Sequence, residues 1–195
     1  QSLGYTHFTP VQLAALPPML DGLDVRAQAK TGSGKTAAFG LALLNRLMLE
    51  RIALQALVLC PTRELADQVA AELRRLGSAM PNLKISTIYG GVAIGPQQAS
   101  LTKHAPHIIV GTPGRVLDHF EKGHLTFDGV QTLVLDEADR LLDMGFADSM
   151  AALIVKMPKT RQTLLLSATF PSAVDLLSSQ VQTQAQHIAV DLAHA

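Results

Sequence analysis

A glycine-rich stretch that ends in lysine and threonine, AKTGSGKT at residues 29–36, is the first candidate for chemistry in the sequence. The pattern is typical of a phosphate-binding loop, in which backbone N–H groups surround phosphate oxygens. Such loops usually begin with glycine, whereas Ala29 stands at that position here. Glycine is required only where φ is positive or where the backbone touches the ligand. We therefore expect Ala29 to have an ordinary negative φ, with Gly32 and Gly34 forming the turn.

The glycine-lysine-hydroxyl pattern by itself is expected by chance in about one chain in ten of this length. The alternative is a glycine-rich turn before a helix, but the position between a short apolar run and a long helical pattern favours phosphate binding. In that interpretation Lys35 reaches the terminal phosphates, and Thr36 opens the helix as a magnesium ligand. The predicted nucleotide-binding residues of the loop are Ala29, Lys30, Thr31, Gly32, Ser33, Gly34, Lys35 and Thr36.

Three carboxylates end the apolar run TLVLDEAD at residues 132–139. In a phosphate-loop protein, a carboxylate at this point holds magnesium directly or through water, and its neighbour acts on the attacking water. We assign Asp136 to the metal and Glu137 to the catalytic base. Acidic residues are also common at helix N-termini, where the helix dipole favours them, so both interpretations remain open at this point.

Short apolar runs of strand length alternate along the chain with longer segments of helical periodicity. The predicted strands are LDVRAQA, QALVLC, KISTIY, HIIVGT, VQTLVLDE, QTLLLSAT and HIAVDL, and the clearest predicted helices are residues 35–50 and 62–77. This alternation predicts an α/β fold with a mostly parallel sheet and helices on both faces. In such sheets ligands bind at the carboxyl ends of the strands, where both candidate motifs lie.

The composition predicts a single ordinary globular domain, because 48% of its 195 residues are hydrophobic and 16% are charged. The formal net charge is zero, so overall charge indicates neither a nucleic-acid nor a membrane partner. No apolar stretch approaches the roughly 20 residues that span a bilayer, and we expect a cytoplasmic location. Cys60 is predicted to be a buried structural thiol. No histidine spacing indicates zinc, and we interpret His7, His107 and His187 as structural.

In order along the chain, these motifs resemble those of the N-terminal RecA-like domain of DEAD-box RNA helicases. Besides AKTGSGKT and DEAD, the matching stretches are GYTHFTPVQ at 4–12, PTRELA at 61–66, GG at 90–91, TPGR at 112–115 and SAT at 167–169. The resemblance implies a RecA-like fold of about seven strands over residues 1–195, with ATP and Mg²⁺ as cofactors and RNA as partner. It also implies that a second RecA-like domain supplies the arginines that stabilise the transferred phosphate.

The resemblance assigns roles to further residues. Gln12 is expected to read the N6 and N7 edge of adenine, because its amide donates and accepts at once, and Tyr5 to lie against the ring. The residues that the resemblance places against RNA are Pro61, Thr62, Arg63, Gly90, Gly91, Thr112, Pro113, Gly114 and Arg115. Those that it assigns to coupling hydrolysis with unwinding are Asp139, Ser167, Ala168 and Thr169.

Ordinary structural roles are the alternatives for several of these residues. Arg63 could pair with Asp67 at i,i+4 on its own helix, and Arg115 with Asp118 or His119. Ser167 and Thr169 could cap the helix that follows Pro171.

Within the family, ALVLCPTRELADQVAAELRRL and HAPHIIVGTPGRVLDH resemble the bacterial DbpA group, which implies ribosomal RNA as substrate and a role in ribosome assembly. Because the chain ends soon after the last predicted strand, we expect it to be the ATP-binding half of the helicase, able to bind ATP but not to unwind RNA. A small kinase or GTPase is the enzymatic rival, but the chain lacks a guanine-reading N-K-x-D stretch. A non-catalytic ATP-dependent RNA clamp or adaptor is the other rival.

Overall fold

The computed structural model describes residues 6–189 as an all-parallel seven-stranded sheet with helices on both faces. The strand order across the sheet is β3-β4-β2-β5-β6-β1-β7. The strands are β1 (Val25–Gln28), β2 (Ala56–Leu59), β3 (Ile85–Ile88), β4 (Ile108–Gly111), β5 (Thr132–Asp136), β6 (Gln162–Ser167) and β7 (Gln186–Ala189). Each predicted strand is confirmed in position, and the last part of the seventh predicted run lies outside the described residues.

The helices alternate with the strands as the periodicity predicts. They are α1 (Pro10–Leu20), α2 (Lys35–Arg46), α3 (Arg63–Leu76), α4 (Ile94–Lys103), α5 (Pro113–Glu121), α6 (Ala138–Asp143), α7 (Ala147–Ile154) and α8 (Ser172–Val181). The predicted helix over residues 35–50 is too long, because the backbone becomes extended at Leu47.

Threonine side chains fix where two of the helices begin. At α1, Thr9 Oγ1 accepts from the N–H of Gln12, and Gln12 Oε1 accepts from the N–H of Thr9, which completes a capping box. At α3, Thr62 Oγ1 accepts from the N–H of Leu65. The starts of α1 and α3 are therefore set by threonines that belong to predicted functional motifs.

The sheet is covered on both faces, so successive strand residues enter opposite halves of the core. Val58 and Val134 pack with the side chains of α1, α2 and α3 on one face. Leu57 and Leu133 pack with apolar residues of α4 to α8 on the other face. Burial on both faces explains why these strands appear in the sequence as continuous apolar runs.

Two further predictions concern single residues. Cys60 is fully buried, and burial raises the pKa of its thiol well above the ordinary value, as expected for a structural cysteine. His107 is buried, with its Nδ1 accepting from the N–H of Lys84 and its Nε2 facing the carbonyl oxygen of Leu49, which is the structural role predicted for it. Within residues 6–189, no helix combines the length and hydropathy needed to cross a membrane.

The strand order separates the predicted motifs into two groups at the carboxyl edge of the sheet. The phosphate loop follows β1, the three carboxylates follow β5 and the SAT stretch begins within β6, and these three strands are neighbours. The PTRELA, GG and TPGR stretches follow β2, β3 and β4, which are also neighbours. One half of the edge therefore carries the motifs expected to bind nucleotide and to couple its hydrolysis to unwinding, and the other half carries the motifs expected to contact RNA.

Candidate functional site

The phosphate loop has the backbone expected from its sequence. The φ angles of Gly32 and Gly34 are 80° and 86°, whereas Ala29 is not among the residues with positive φ. Ala29 is buried, and its N–H donates to the carbonyl oxygen of Ser167 at 2.9 Å, so this position anchors the loop to β6. Glycine suits the left-handed φ of Gly34, and a Cβ atom there would lie 2.5 Å from Gln12 Nε2 and displace that amide.

A buried ion pair lies beneath the loop. Lys35 Nζ is 2.9 Å from Asp136 Oδ1, and the two side chains are 5% and 0% exposed. Burial raises the pKa of Asp136, and the charge of Lys35 opposes that increase. Asp136 Oδ2 is buried and has no hydrogen-bond partner among the described residues. The ion pair thus leaves one carboxylate oxygen available for a further ligand.

Glu137 is held by three neighbours in an uncommon backbone conformation. Its φ of 53° is left-handed, which is rare for a residue other than glycine. Thr31 Oγ1 donates to Glu137 Oε1 at 3.1 Å, and Arg140 donates to Oε2 at 2.7 Å. Lys35 Nζ lies 4.0 Å from Oε1. The carboxylate therefore lies directly between the phosphate loop and the start of α6.

Asp139 joins the acidic strand end to the SAT stretch. Its N–H donates to Ser167 Oγ at 3.1 Å, and its Oδ2 accepts from the N–H and Oγ1 of Thr169 at 3.0 and 2.8 Å. Burial works to raise the pKa of Asp139, but the hydrogen bonds that its carboxylate accepts from Thr169 and from the N–H of Arg140 hold it below the ordinary value. The capping alternative is wrong, because α8 has Pro171 as its N-cap and no side-chain cap.

Gln12 connects α1 to the phosphate loop. It is 4% exposed, its Oε1 accepts from Thr9 N–H at 2.9 Å, and its Nε2 donates to the carbonyl oxygen of Gly34 at 3.0 Å. An amide has two N–H groups and two acceptor lone pairs, so one donor and one acceptor site remain for a ligand. Tyr5, predicted to lie against adenine, falls outside the described residues.

Two adjoining cavities meet at Gln12 and Ala37. One has a volume of about 400 Å³ and is lined by Gln12, Thr31, Gly32, Gly34, Lys35, Thr36, Ala37, Leu65, Gln68, Val69, Glu72 and Glu137. The other is apolar, has a volume of about 220 Å³, and is lined by Thr6, His7, Phe8, Gln12, Leu16, Ala37, Ala38, Leu41 and Leu76. The part of α3 that lines the larger cavity was not predicted from the sequence, although Leu65, Gln68, Val69 and Glu72 have the spacing of one helix face.

Arg63 is exposed at the start of α3, beside Pro61 and Thr62. Its Nε donates to Glu64 Oε1 at 2.7 Å, so the predicted alternative of a pair with Asp67 is wrong. Asp67 instead accepts from the hydroxyl of Tyr89 at 3.2 Å. This contact joins α3 to the segment after β3.

Arg115 is largely buried at the start of α5, after Thr112, Pro113 and Gly114. Its Nη1 and Nη2 each donate to the carbonyl oxygen of Val92 at 3.1 Å. The pair with Asp118 is present but long, with Nε 3.9 Å from Oδ2. Arg115 is therefore held mainly by the chain that follows the exposed pair Gly90 and Gly91.

Comparison with known proteins places these motifs in one family. Residues 9–177 match the DEAD/DEAH box helicase family. The chain is 59% identical to the ATP-dependent RNA helicase DbpA of Escherichia coli strain K12, over 97% of this chain and 41% of the relative. It is 46% identical to the DEAD-box ATP-dependent RNA helicase CshA of Bacillus cereus strain ATCC 10987, over 97% of this chain and 36% of the relative.

The solved structures agree with the fold. A DEAD box protein from the hyperthermophile Methanococcus jannaschii superimposes with a TM-score of 0.89 at 40% identity, over 94% of this chain and 50% of that one. The RecA-like fold expected from the motifs is thus confirmed. The chain spans less than half the length of the two curated relatives described above. From the match over residues 9–177, the chain belongs to the DEAD/DEAH box helicase family.

Proposed function

We propose that this chain is the ATP-binding half of an RNA-dependent ATPase and RNA helicase, which couples ATP hydrolysis to local RNA unwinding together with a second RecA-like domain. The observation that carries the proposal is the buried pair of Lys35 and Asp136 beneath a glycine loop, with Glu137 beside it. A cation and two carboxylates are grouped where a triphosphate and its metal ion would meet. The relatives described above are named ATP-dependent RNA helicases.

The residues present fit a magnesium ion. Asp136 Oδ2 is a buried carboxylate oxygen without a partner among the described residues, and such an atom normally needs a ligand or ordered water. Thr36, at the start of α2, borders the same cavity. Hard oxygen ligands of this kind suit Mg²⁺, so Asp136 and Thr36 would hold it, directly or through water. When bound, Mg²⁺ would neutralise charge that develops on the phosphates.

The remaining steps are assigned to groups of the chain itself. The loop from Thr31 to Gly34 would bind the phosphates through its N–H groups, and Lys35 would exchange its contact with Asp136 for one with phosphate oxygens. Glu137 would orient the attacking water and accept its proton. Gln12 lines both the polar and the apolar cavity, which suits an adenine ring seated in the apolar one.

RNA binding is assigned to the half of the sheet edge formed by β2, β4 and β3. Arg63 and Arg115 lie there beside helix N-termini, a combination that holds phosphates without reading bases. RNA is therefore proposed to bind along this edge. Ribosomal RNA as the target, a role in ribosome assembly and a cytoplasmic location remain predictions from the sequence.

Isothermal titration calorimetry with Mg-ATP and Mg-GTP tests the proposal. We expect the chain to bind ATP in preference to GTP, and Lys35→Ala to weaken ATP binding at least about tenfold, because a charge-assisted phosphate contact is lost. Lys159→Ala is the control, since Lys159 is exposed shortly before the amino end of β6, whereas the candidate site lies at the carboxyl ends of the strands. Equal ATP affinity in the Lys35 and Lys159 variants would contradict the proposed site.

A further inference from the structure

Gln97 connects the two segments that follow β3 and β4. It lies on the first turns of α4, and its Nε2 donates to the carbonyl oxygen of Tyr89 at 2.9 Å. Its Oε1 accepts from Arg115 Nη1 at 3.4 Å. Arg115 in turn donates to the carbonyl oxygen of Val92. The glycine pair at 90–91 is therefore held at both ends, by Gln97 on one side and by Arg115 on the other.

These contacts fix the orientation of the Gln97 amide. The nitrogen must face the carbonyl of Tyr89, which can only accept, and the oxygen must face the guanidinium of Arg115, which can only donate. The same Oε1 has a second neighbour, because Nε2 of the fully buried His119 lies 3.2 Å from it. Since that oxygen only accepts, His119 Nε2 must carry a hydrogen and donate it.

The hydrogen on His119 Nε2 determines which ring nitrogen of His124 carries a hydrogen. His119 Nδ1 is 2.9 Å from His124 Nδ1. A neutral His119 with its hydrogen on Nε2 has a bare Nδ1, so His124 Nδ1 must donate the hydrogen between the two rings. A first added proton fits on His124 Nε2 and leaves this contact intact. A second would place two N–H groups face to face and break it.

We propose that Gln97 is a positioning residue that joins Arg115 to the glycine pair for RNA binding, and that the His119–His124 pair holds Gln97 in place only while the pair carries no more than one added proton. This inference rests on the proposed RNA-binding role of Arg115. Gln97 itself acts through Arg115 and the backbone on either side of the glycines. The chemistry that it serves is the sequence-independent binding of RNA phosphates.

The charges around His119 disfavour the second proton. Burial lowers the pKa of His119, the charges of His124, Arg115 and Lys122 add to this effect, and Asp118 opposes it. On α4, the side chain that faces His119 is the uncharged Gln97. The pair therefore stays connected at neutral pH, and the connection is lost on the acid side of the ordinary histidine range.

RNA affinity of substituted chains is the first test, measured by fluorescence anisotropy with a labelled single-stranded oligouridylate. We expect Gln97→Leu to weaken binding about 5-fold to 10-fold at about pH 7.5. Gln98→Leu, at the exposed neighbouring position of α4, is the matched control and should bind like the unsubstituted chain. The double substitution of Gln97 and Arg115 should bind no more weakly than Arg115→Ala alone, because Gln97 acts through Arg115.

These variants distinguish failure of the proposed RNA role of Arg115 from failure of the inference about Gln97. If Arg115→Ala does not change RNA affinity, the RNA role of Arg115 is wrong and the inference fails with it. If Arg115→Ala weakens binding while Gln97→Leu matches Gln98→Leu, the proposed function stands and the inference about Gln97 is overturned. Circular dichroism of each variant confirms that it is folded.

The pH dependence distinguishes the linked histidine pair from simple packing. Protonated histidines add positive charge, which strengthens RNA binding in general. The unsubstituted chain and Gln97→Leu have the same histidines, so this effect is the same in both. We expect their affinity ratio, about 5-fold to 10-fold at about pH 7.5, to fall toward 1 on acidification, as the pair takes up its second proton. A ratio that does not change with pH would overturn the role of the pair.

Nitrogen-15 NMR of the histidine rings tests the same network without any substitution. At neutral pH we expect His119 as the tautomer protonated on Nε2 and His124 as the tautomer protonated on Nδ1. The reverse assignment for His119 would leave Gln97 Oε1 facing a bare nitrogen. That result would overturn the proposal even if a variant failed to fold.

Discussion

The side-chain amide of Gln12 donates a hydrogen bond to the carbonyl oxygen of Gly34 at 3.0 Å, across 22 residues of sequence. Gly34 has a left-handed φ of 86° and immediately precedes Lys35 at the start of α2. A residue expected to read the base is thus also in contact with the loop expected to hold the phosphates. The two ends of a bound nucleotide would meet the same side chain.

Gln12→Ala is predicted to lower the preference for ATP over GTP, because the amide that discriminates the adenine edge is lost. Gln12→Glu is a sharper comparison, since it keeps an acceptor for the N–H of Thr9 but cannot donate to Gly34. Calorimetric affinities for both nucleotides measure the effect. An unchanged ATP-to-GTP ratio in Gln12→Ala would exclude the adenine-reading role.

Two positions of the phosphate loop, Ala29 and Gly34, are predicted to respond differently to the gain or loss of a methyl group. Ala29→Gly should be nearly neutral for ATP binding, because φ at this position is not positive. Gly34→Ala should greatly weaken ATP binding, because the added Cβ would lie 2.5 Å from Gln12 Nε2 and φ is left-handed. Calorimetry with Mg-ATP compares the two, and equal losses would contradict this account of the loop.

Thr169→Val is predicted to raise the pKa of Asp139 toward its ordinary value, because the Oγ1 donor at 2.8 Å is removed while the N–H donor remains. A carboxylate with a lowered folded-state pKa stabilises the fold above its unfolded pKa of about 3.9, and this contribution disappears as pH falls through the folded value. The stability difference between the unsubstituted chain and the variant should therefore be present at neutral pH and vanish in strong acid.

Carboxyl carbon-13 NMR gives the pKa of Asp139, and urea unfolding at several pH values gives the stability difference. Thr160→Val, at an exposed position before β6, is the control. If Asp139 titrates identically in both variants, the hydroxyl of Thr169 does not hold its charge.

The chain alone is predicted to bind ATP but to show almost no RNA-stimulated hydrolysis. A positioned arginine contributes about 10³–10⁵ in rate to phosphoryl transfer, and among residues 6–189 none lines the cavity over the phosphate loop. Arg140 approaches Glu137 but donates to its carboxylate. Phosphate release with and without single-stranded RNA, compared with a chain that includes the second RecA-like domain, measures the difference. RNA-stimulated turnover by the chain alone, abolished by Glu137→Gln, would mean that an arginine of this chain serves the reaction.

The sheet could be predicted because its strands are buried on both faces and carry continuous apolar residues. The runs around Val58 and Val134 were recognisable without any knowledge of their partners. Helix ends were less certain: Arg46 ends α2 although the apolar pattern continues through Leu47 and beyond. The apolar pattern of the sequence indicates which residues are buried, but the end of a helix depends on where the chain must turn toward the next strand.

The candidate site was predictable as residue types and less so as contacts. Thr31 and Glu137 are 106 positions apart, and they meet because β1, β6 and β5 are neighbours in the sheet. No local pattern gives that order. The left-handed φ of Glu137 was equally hidden, because glutamate has no preference for this conformation. The links of Gln97 to Arg115 and His119 likewise depend on how α4 packs beside α5.

The proposed nucleotide half and the proposed RNA half of the sheet meet where β2 pairs with β5, from Ala56↔Thr132 to Leu59↔Leu135. Neighbouring strands are about 4.8 Å apart, so the carboxyl ends of β5 and β2 lie close together. Cys60 lies just past that end, and after burial the charge of Asp136 is the next contribution that raises the pKa of its thiol. A carboxylate of the proposed nucleotide half therefore acts on a buried group at the start of the proposed RNA half, so charge as well as strand pairing links the two halves.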